Sequence, residues 1–164
     1  MDIEKYSLQD LILSAIKSEI DSYNVYKKTA ENIKNGLLED KLLFLAKEEK
    51  THRQLLEKLF KKYYPDKKLE IPEKSVVPMP KLDIPIEDIA LSKILKQAME
   101  AEKFAQRFYR QLSKKFTDEK NISSMLEYFA DMEKGHYQLL ENEKESMERF
   151  EQADVYWPMV HVGP

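Results

Sequence analysis

Apolar residues recur at three- and four-residue spacings in four stretches, and each stretch reads as a long helix. Over residues 7–34 the stripe is Leu8, Leu11, Ile12, Ala15, Ile16, Ile20, Tyr23, Tyr26 and Ala30. Ser7 precedes it as an N-cap with Asp10 three residues on, and Asn35-Gly36 supplies a left-handed stop. A second helix is predicted from Leu38 to Tyr63, halting before Pro65 because proline disfavours helical geometry in the residue ahead of it. A third runs from Glu87 to Phe116, Thr117 and Asp118 turn, and a fourth continues to Glu151. Residues 65–86 hold five of the seven prolines and read as an extended crossover. The tail, residues 152–164, is apolar and is expected to lie extended on the bundle or on a partner subunit.

Connections between antiparallel neighbours need only a few residues. The crossover has about 21, which reach up to ~70 Å when extended, whereas a 26-residue helix is ~39 Å long. The third helix can therefore start at the opposite end from where the second stopped. The expected fold is all-α: a four-helix bundle over residues 1–151, made of two antiparallel hairpins joined by one long crossover.

Composition narrows the function. With 27 basic and 30 acidic residues mixed along 164 positions, the net charge is −3, which excludes a strongly basic nucleic-acid binder and a polybasic membrane patch. No cysteine is present, so disulfides, thiolate-held metal clusters and cysteine nucleophiles are excluded. No apolar run approaches the ~20 residues of a membrane span, and MDIEKYSLQD lacks the apolar stretch of a secretory signal. A soluble, cytoplasmic helical protein is expected.

The two hairpins repeat one another. FLAKEEKTHRQLLE (44–57) and YFADMEKGHYQLLE (128–141) share eight of fourteen positions, and AIKSEIDSYNVY (15–26) aligns more loosely with AMEAEKFAQRFY (98–109). Such a repeat implies approximate two-fold symmetry with a site on the axis. The retained pairs include Glu19 and Glu102, Glu49 and Glu133, and His52 and His136. Glu49-x-x-His52 and Glu133-x-x-His136 each place an oxygen and a nitrogen donor on one helix face. One such pair alone reads as a surface ion pair; two at equivalent positions do not. Glu19 lies about 17 residues before the first turn and Glu49 about 13 after it; Glu102 lies about 15 before the second turn and Glu133 about 16 after it. At ~1.5 Å per residue these heights agree to about one helical turn. Four carboxylates would repel strongly at mid-height without cations. One Glu from each of two helices plus Glu-x-x-His from each of the other two is the di-iron or di-manganese carboxylate pattern.

On these residues, over 7–150, the chain resembles the ferritin-like superfamily and its rubrerythrin-like branch. The resemblance implies a non-haem site for two iron ions, with manganese or another divalent metal also suited to the ligand set. Glu49 and Glu133 would bridge, Glu19 and Glu102 would each cap one metal, and His52 and His136 would each bind one. Two features depart from the branch. The cysteine-bearing rubredoxin module is missing, and the additional site Glu of the third helix has no equivalent: Ser22 and Ala105 stand one turn after Glu19 and Glu102, and Glu100 points away.

The function this implies is an oxidoreductase reducing hydrogen peroxide or dioxygen, supplied by an external donor such as a rubredoxin or a flavoprotein, in a homodimer. Iron handling with ferroxidase chemistry is the alternative, and a non-catalytic structural bundle the second. Tyr26 and Tyr109, two turns after Glu19 and Glu102, are expected to bond to a carboxylate across the bundle. Glu48, Asp131 and Glu100 read as rim carboxylates, His161 as a bystander, and Tyr156 and Trp157 as anchors of the tail. Phe60, Tyr63 and Tyr64 read as core or dimer contacts. Gly135 is expected to allow close helix approach.

Overall fold

A computed structural model describes residues 3–75, 77 and 91–156, with backbone alone over 150–156. Among these residues four α-helices occur and no strand: α1 (Leu8–Asn32), α2 (Gly36–Tyr63), α3 (Leu91–Ser113) and α4 (Lys120–Tyr156), with a 3-10 turn at Lys114–Phe116 between the last two. Ser7 caps α1 as expected, its hydroxyl accepting from the Asp10 amide at 3.1 Å and donating to the Asp10 carboxylate at 2.6 Å. Tyr64 closes α2 by donating its amide to the Phe60 carbonyl at 2.8 Å.

Three boundaries differ from the sequence reading. Asn35-Gly36 is not a left-handed stop. Asn35 is extended, and its side chain accepts from the Leu38 amide at 3.2 Å, so it caps α2 and Gly36 becomes the first helical residue. The turn needs no left-handed glycine because Ile33 already breaks α1 in extended geometry. The third helix tightens into 3-10 geometry over its last three residues, a frequent way to end a helix. The fourth helix continues to Tyr156, so residues 152–156 are helical, not extended. Nothing in that stretch breaks a helix before Pro158. The remainder of the tail, with Trp157 and His161, and residues 78–90, where the third helix was expected to begin, lie outside the described residues.

Cross-bundle pairs fix the topology. Lys41 near the start of α2 pairs with Glu143 late in α4, and Lys62 at the end of α2 pairs with Glu119 just before α4, so these two helices run antiparallel. Glu4 ahead of α1 pairs with Lys115 after α3 at 2.5 Å, so α1 and α3 are antiparallel too. With α1–α2 and α3–α4 closed as hairpins, α2 and α3 must point the same way. α3 therefore begins at the end of the bundle opposite to the one where α2 stops, as expected of the proline-rich crossover. The described part of the crossover begins against the core, with Leu69 and Ile71 packed on it and Val77 fully buried.

Two apolar layers result. One gathers Leu11, Ile12, Ile16, Leu56, Phe60, Phe108, Leu112 and Phe129; the other gathers Ala30, Leu38, Leu42, Leu45, Leu95, Met99 and Leu140. On every helix the residues between the layers are the charged ones: Glu19, Glu49 with His52, Glu102, and Glu133 with His136. The apolar ends define the bundle, and a buried polar layer sits at its waist. Phe60 is core, while Tyr63 and Tyr64 are partly buried against it.

Candidate metal centre

Each of the six waist residues faces inward because it continues its helix's apolar stripe, and all six are buried. They form two overlapping groups. Glu19, Glu49, His52 and Glu133 each offer an atom within 4.8 Å of the others, and so do Glu49, Glu102, Glu133 and His136. Glu49 and Glu133 belong to both groups. His52 Nδ1 lies 3.0 Å from Glu133, 3.6 Å from Glu19 and 3.8 Å from Glu49. His136 Nδ1 lies 3.2 Å from Glu133, 3.3 Å from Glu49 and 3.7 Å from Glu102. The waist is thus two-fold in geometry as the sequence is in pattern.

Tyr26 and Tyr109 do bond across the bundle. The Tyr26 hydroxyl donates to Glu102, and the Tyr109 hydroxyl donates to Glu19, so each helix of the α1–α3 pair fixes the other's carboxylate. Burial and the facing carboxylate raise both phenols well above their usual range, which keeps them protonated donors.

Without metal the cluster must settle its charge with protons. Burial, reinforced by Glu49 beside Glu19 and by Glu133 beside Glu102, raises both of those carboxyls. For Glu49 and Glu133 burial also pushes upward, but the facing carboxyl of Glu19 or Glu102 and the two imidazoles close by outweigh it and hold them low. Burial alone would lower the imidazoles. The carboxylates around them prevail, led by Glu133 at His52, which is pushed up to about 12, and by Glu102 at His136, which is also raised.

Protons do not satisfy the site. Glu19 Oε2, Glu49 Oε1, Glu133 Oε1 and both ring nitrogens of His52 are buried without a hydrogen-bond partner. His52 Nδ1 and Glu133 Oε1 are close at 3.0 Å, yet their directions do not make a hydrogen bond. Orphaned buried polar atoms cost about 1–3 kcal/mol each, and here they converge from three helices, α1, α2 and α4. Six oxygen and nitrogen donors in two groups with two shared carboxylates suit a pair of divalent cations.

The other sequence-selected residues divide. Glu100 and Asp131 are exposed and Glu48 is half-buried, as rim carboxylates should be; Asp131 pairs with Arg110 at 3.3 Å. Ser22 is buried and Ala105 half-buried, so no further carboxylate joins the waist from those positions. Gly135 is exposed, and a Cβ there would meet nothing within 4 Å, so close helix approach is not its reason. Sequence reasoning missed Phe129. Its ring stacks on His52 at 4.3 Å between centroids and 28° between planes. Its spacing, four residues before Glu133, carried the signal, but its repeat counterpart is Leu45, so the repeat hid it.

A four-helix bundle with paired carboxylate–imidazole groups at its waist is the architecture of the ferritin-like carboxylate proteins. Residues 10–151 match the family model described as Rubrerythrin. A solved structure titled a hypothetical protein from Pyrococcus furiosus is similar, with a TM-score of 0.77 at 32% sequence identity, covering 91% of this chain and 95% of that one. No curated protein matches the chain. The chain belongs to the rubrerythrin family, within 164 residues that hold no rubredoxin-type cysteines. Among the described residues no helix is long and apolar enough to cross a membrane.

Proposed function

We propose that this protein is a non-haem di-iron oxidoreductase that reduces hydrogen peroxide or dioxygen. The observation that carries the reading is the overlap of the two donor groups at Glu49 and Glu133. Two iron ions held there would each supply one electron to a two-electron oxidant. Glu49 and Glu133 hold both positions, Glu19 and His52 complete one, and Glu102 and His136 complete the other. Tyr26 and Tyr109 orient the two outer carboxylates. The apolar layers on either side exclude water and concentrate the field of the cluster.

Reduction of hydrogen peroxide to two waters consumes two electrons and two protons. The chain has no thiolate centre to pass electrons, so an external rubredoxin or flavoprotein supplies them. The protein acts in the cytoplasm as a homodimer, and static light scattering tests the dimer: a clean monomer refutes it. Stopped-flow mixing of the anaerobically reduced, iron-loaded protein with each oxidant tests the activity. Oxidation within seconds by peroxide or dioxygen, and faster steady turnover once a donor is added, is expected. No reaction within minutes at a fully loaded site refutes the oxidoreductase. Accumulation of mineralised iron in a large assembly would favour ferroxidase storage, and purification of a metal-free bundle a structural role.

A further inference from the structure

The two halves of the waist are related by the repeat, yet their surroundings are not equal. His52 is held on two sides. Phe129 stacks on it at 4.3 Å, and Tyr109 meets it edge-on at 6.5 Å. His136 has no such clamp. The repeat counterpart of Phe129 is Leu45, which has no ring, and among the described residues the His136 ring meets another ring at His52, 6.0 Å away.

Solvent access and hydrogen bonding differ in the same sense. His52 is 1% exposed and His136 is 5% exposed. Both ring nitrogens of His52 lack a hydrogen-bond partner, whereas His136 Nδ1 lies within hydrogen-bonding distance of Glu133 Oε2, at 3.2 Å. A metal entering beside His52 meets an oriented ring with no hydrogen bond to break. A metal entering beside His136 must break the Glu133 contact and order a looser ring. Preorganisation lowers the cost of binding, and groups that orient a metal-binding histidine are worth about 10–100-fold in metal affinity.

We propose that Phe129 is a positioning residue that makes the two metal positions unequal. The Glu19–His52 position is the tight, slowly exchanging one, and the Glu102–His136 position fills second and empties first. This rests on the reading of the waist as a two-metal site. It assigns the chain a resident ion and an exchangeable one, with the exchangeable position on the more exposed side.

The test is titration of the full-length, metal-free protein with Co2+, followed by calorimetry and by the visible spectrum of the bound ion. Two ions should bind in two steps separated by at least about tenfold in affinity. The His136→Ala variant should keep the tight step, and the His52→Ala variant should lose it. Phe129→Leu, which installs the residue type of the equivalent position, should weaken the tight step by about tenfold and alter the one-equivalent spectrum, leaving the weak step unchanged. Two equal steps in the parent protein overturn the inference, as does a tight step that survives His52→Ala. An unchanged gap in Phe129→Leu overturns the role of Phe129. Should that variant unfold, the histidine pair alone decides which position is tight. Absence of any Co2+ binding would overturn the two-metal reading itself, a result distinct from two ions bound equally.

Discussion

Stripping the metals and returning two divalent ions at pH 7 perturbs six buried titratable groups at once, and the direction of each group's shift predicts how many protons leave. Glu19 and Glu102 are raised, Glu49 and Glu133 lowered, and His52 and His136 raised, so the apo protein is expected to carry two protonated carboxyls, two carboxylates and two imidazoliums. Two negative and two positive groups leave the waist neutral. With two divalent ions bound, four carboxylates balance four positive charges and both imidazoles are neutral, so the waist is neutral again. The difference is four protons for two ions: two from carboxyls and two from imidazoliums. Calorimetric titration at pH 7 in buffers of different ionisation enthalpy counts them directly. Release of none or one would mean that the apo waist carries a net charge of about −4 or −3 rather than none, and the electrostatic reasoning would be wrong.

The same groups set a pH dependence. Glu19, Glu102, His52 and His136 all bind protons more tightly folded than unfolded. Their contribution is therefore complete below the unfolded values and is lost as pH rises through the folded ones. For His52 that window opens near 6.5 and closes near 12. Glu49 and Glu133 work oppositely, contributing above 4.5 and losing that as pH falls. The apo protein should melt at lower temperature at pH 8 than at pH 5.5, while metal binding strengthens as protons cease to compete. The gap in melting temperature between loaded and apo protein should widen over that range; a constant or narrowing gap contradicts it.

Other substitutions test single links. Gly135→Ala should stabilise the protein by about 1 kcal/mol in urea unfolding, because the new methyl meets open space on an exposed helical face. Tyr109→Phe removes the donor to Glu19 and should weaken metal binding by about 10–100-fold without unfolding the bundle, as read by metal titration and circular dichroism. Glu49→Ala should lower occupancy at both metal positions, whereas Glu19→Ala should affect mainly the position with His52; metal analysis with anomalous scattering separates the two.

The hairpins and the waist were legible in the chain for one reason: both are written as periodicity. Leu11, Ile12, Ile16 and Glu19 share a face because of the 3.6-residue repeat, and the duplication of Glu49-x-x-His52 in Glu133-x-x-His136 marks the site twice. The crossed bonds of Tyr26 and Tyr109 followed from their two-turn spacing. What periodicity does not encode was read less well. Asn35 can end one helix or cap the next, and the outcome depends on Ile33 leaving α1 first. Gly135 could signal close packing or nothing, and only its surroundings decide. Phe129 was missed because stacking on His52 is a contact between α2 and α4, made by one half of the repeat and not by the other.

The central claim is that Glu19, Glu49, His52, Glu102, Glu133 and His136 hold two metal ions together. A crystal structure of protein purified without chelator and supplied anaerobically with Fe2+, with anomalous data collected on both sides of the iron absorption edge, tests it most directly. The account predicts two iron peaks roughly 3.5–4 Å apart at the waist of each chain, with Glu49 and Glu133 touching both. One peak, or none, with the six side chains still converging on one another, would contradict it.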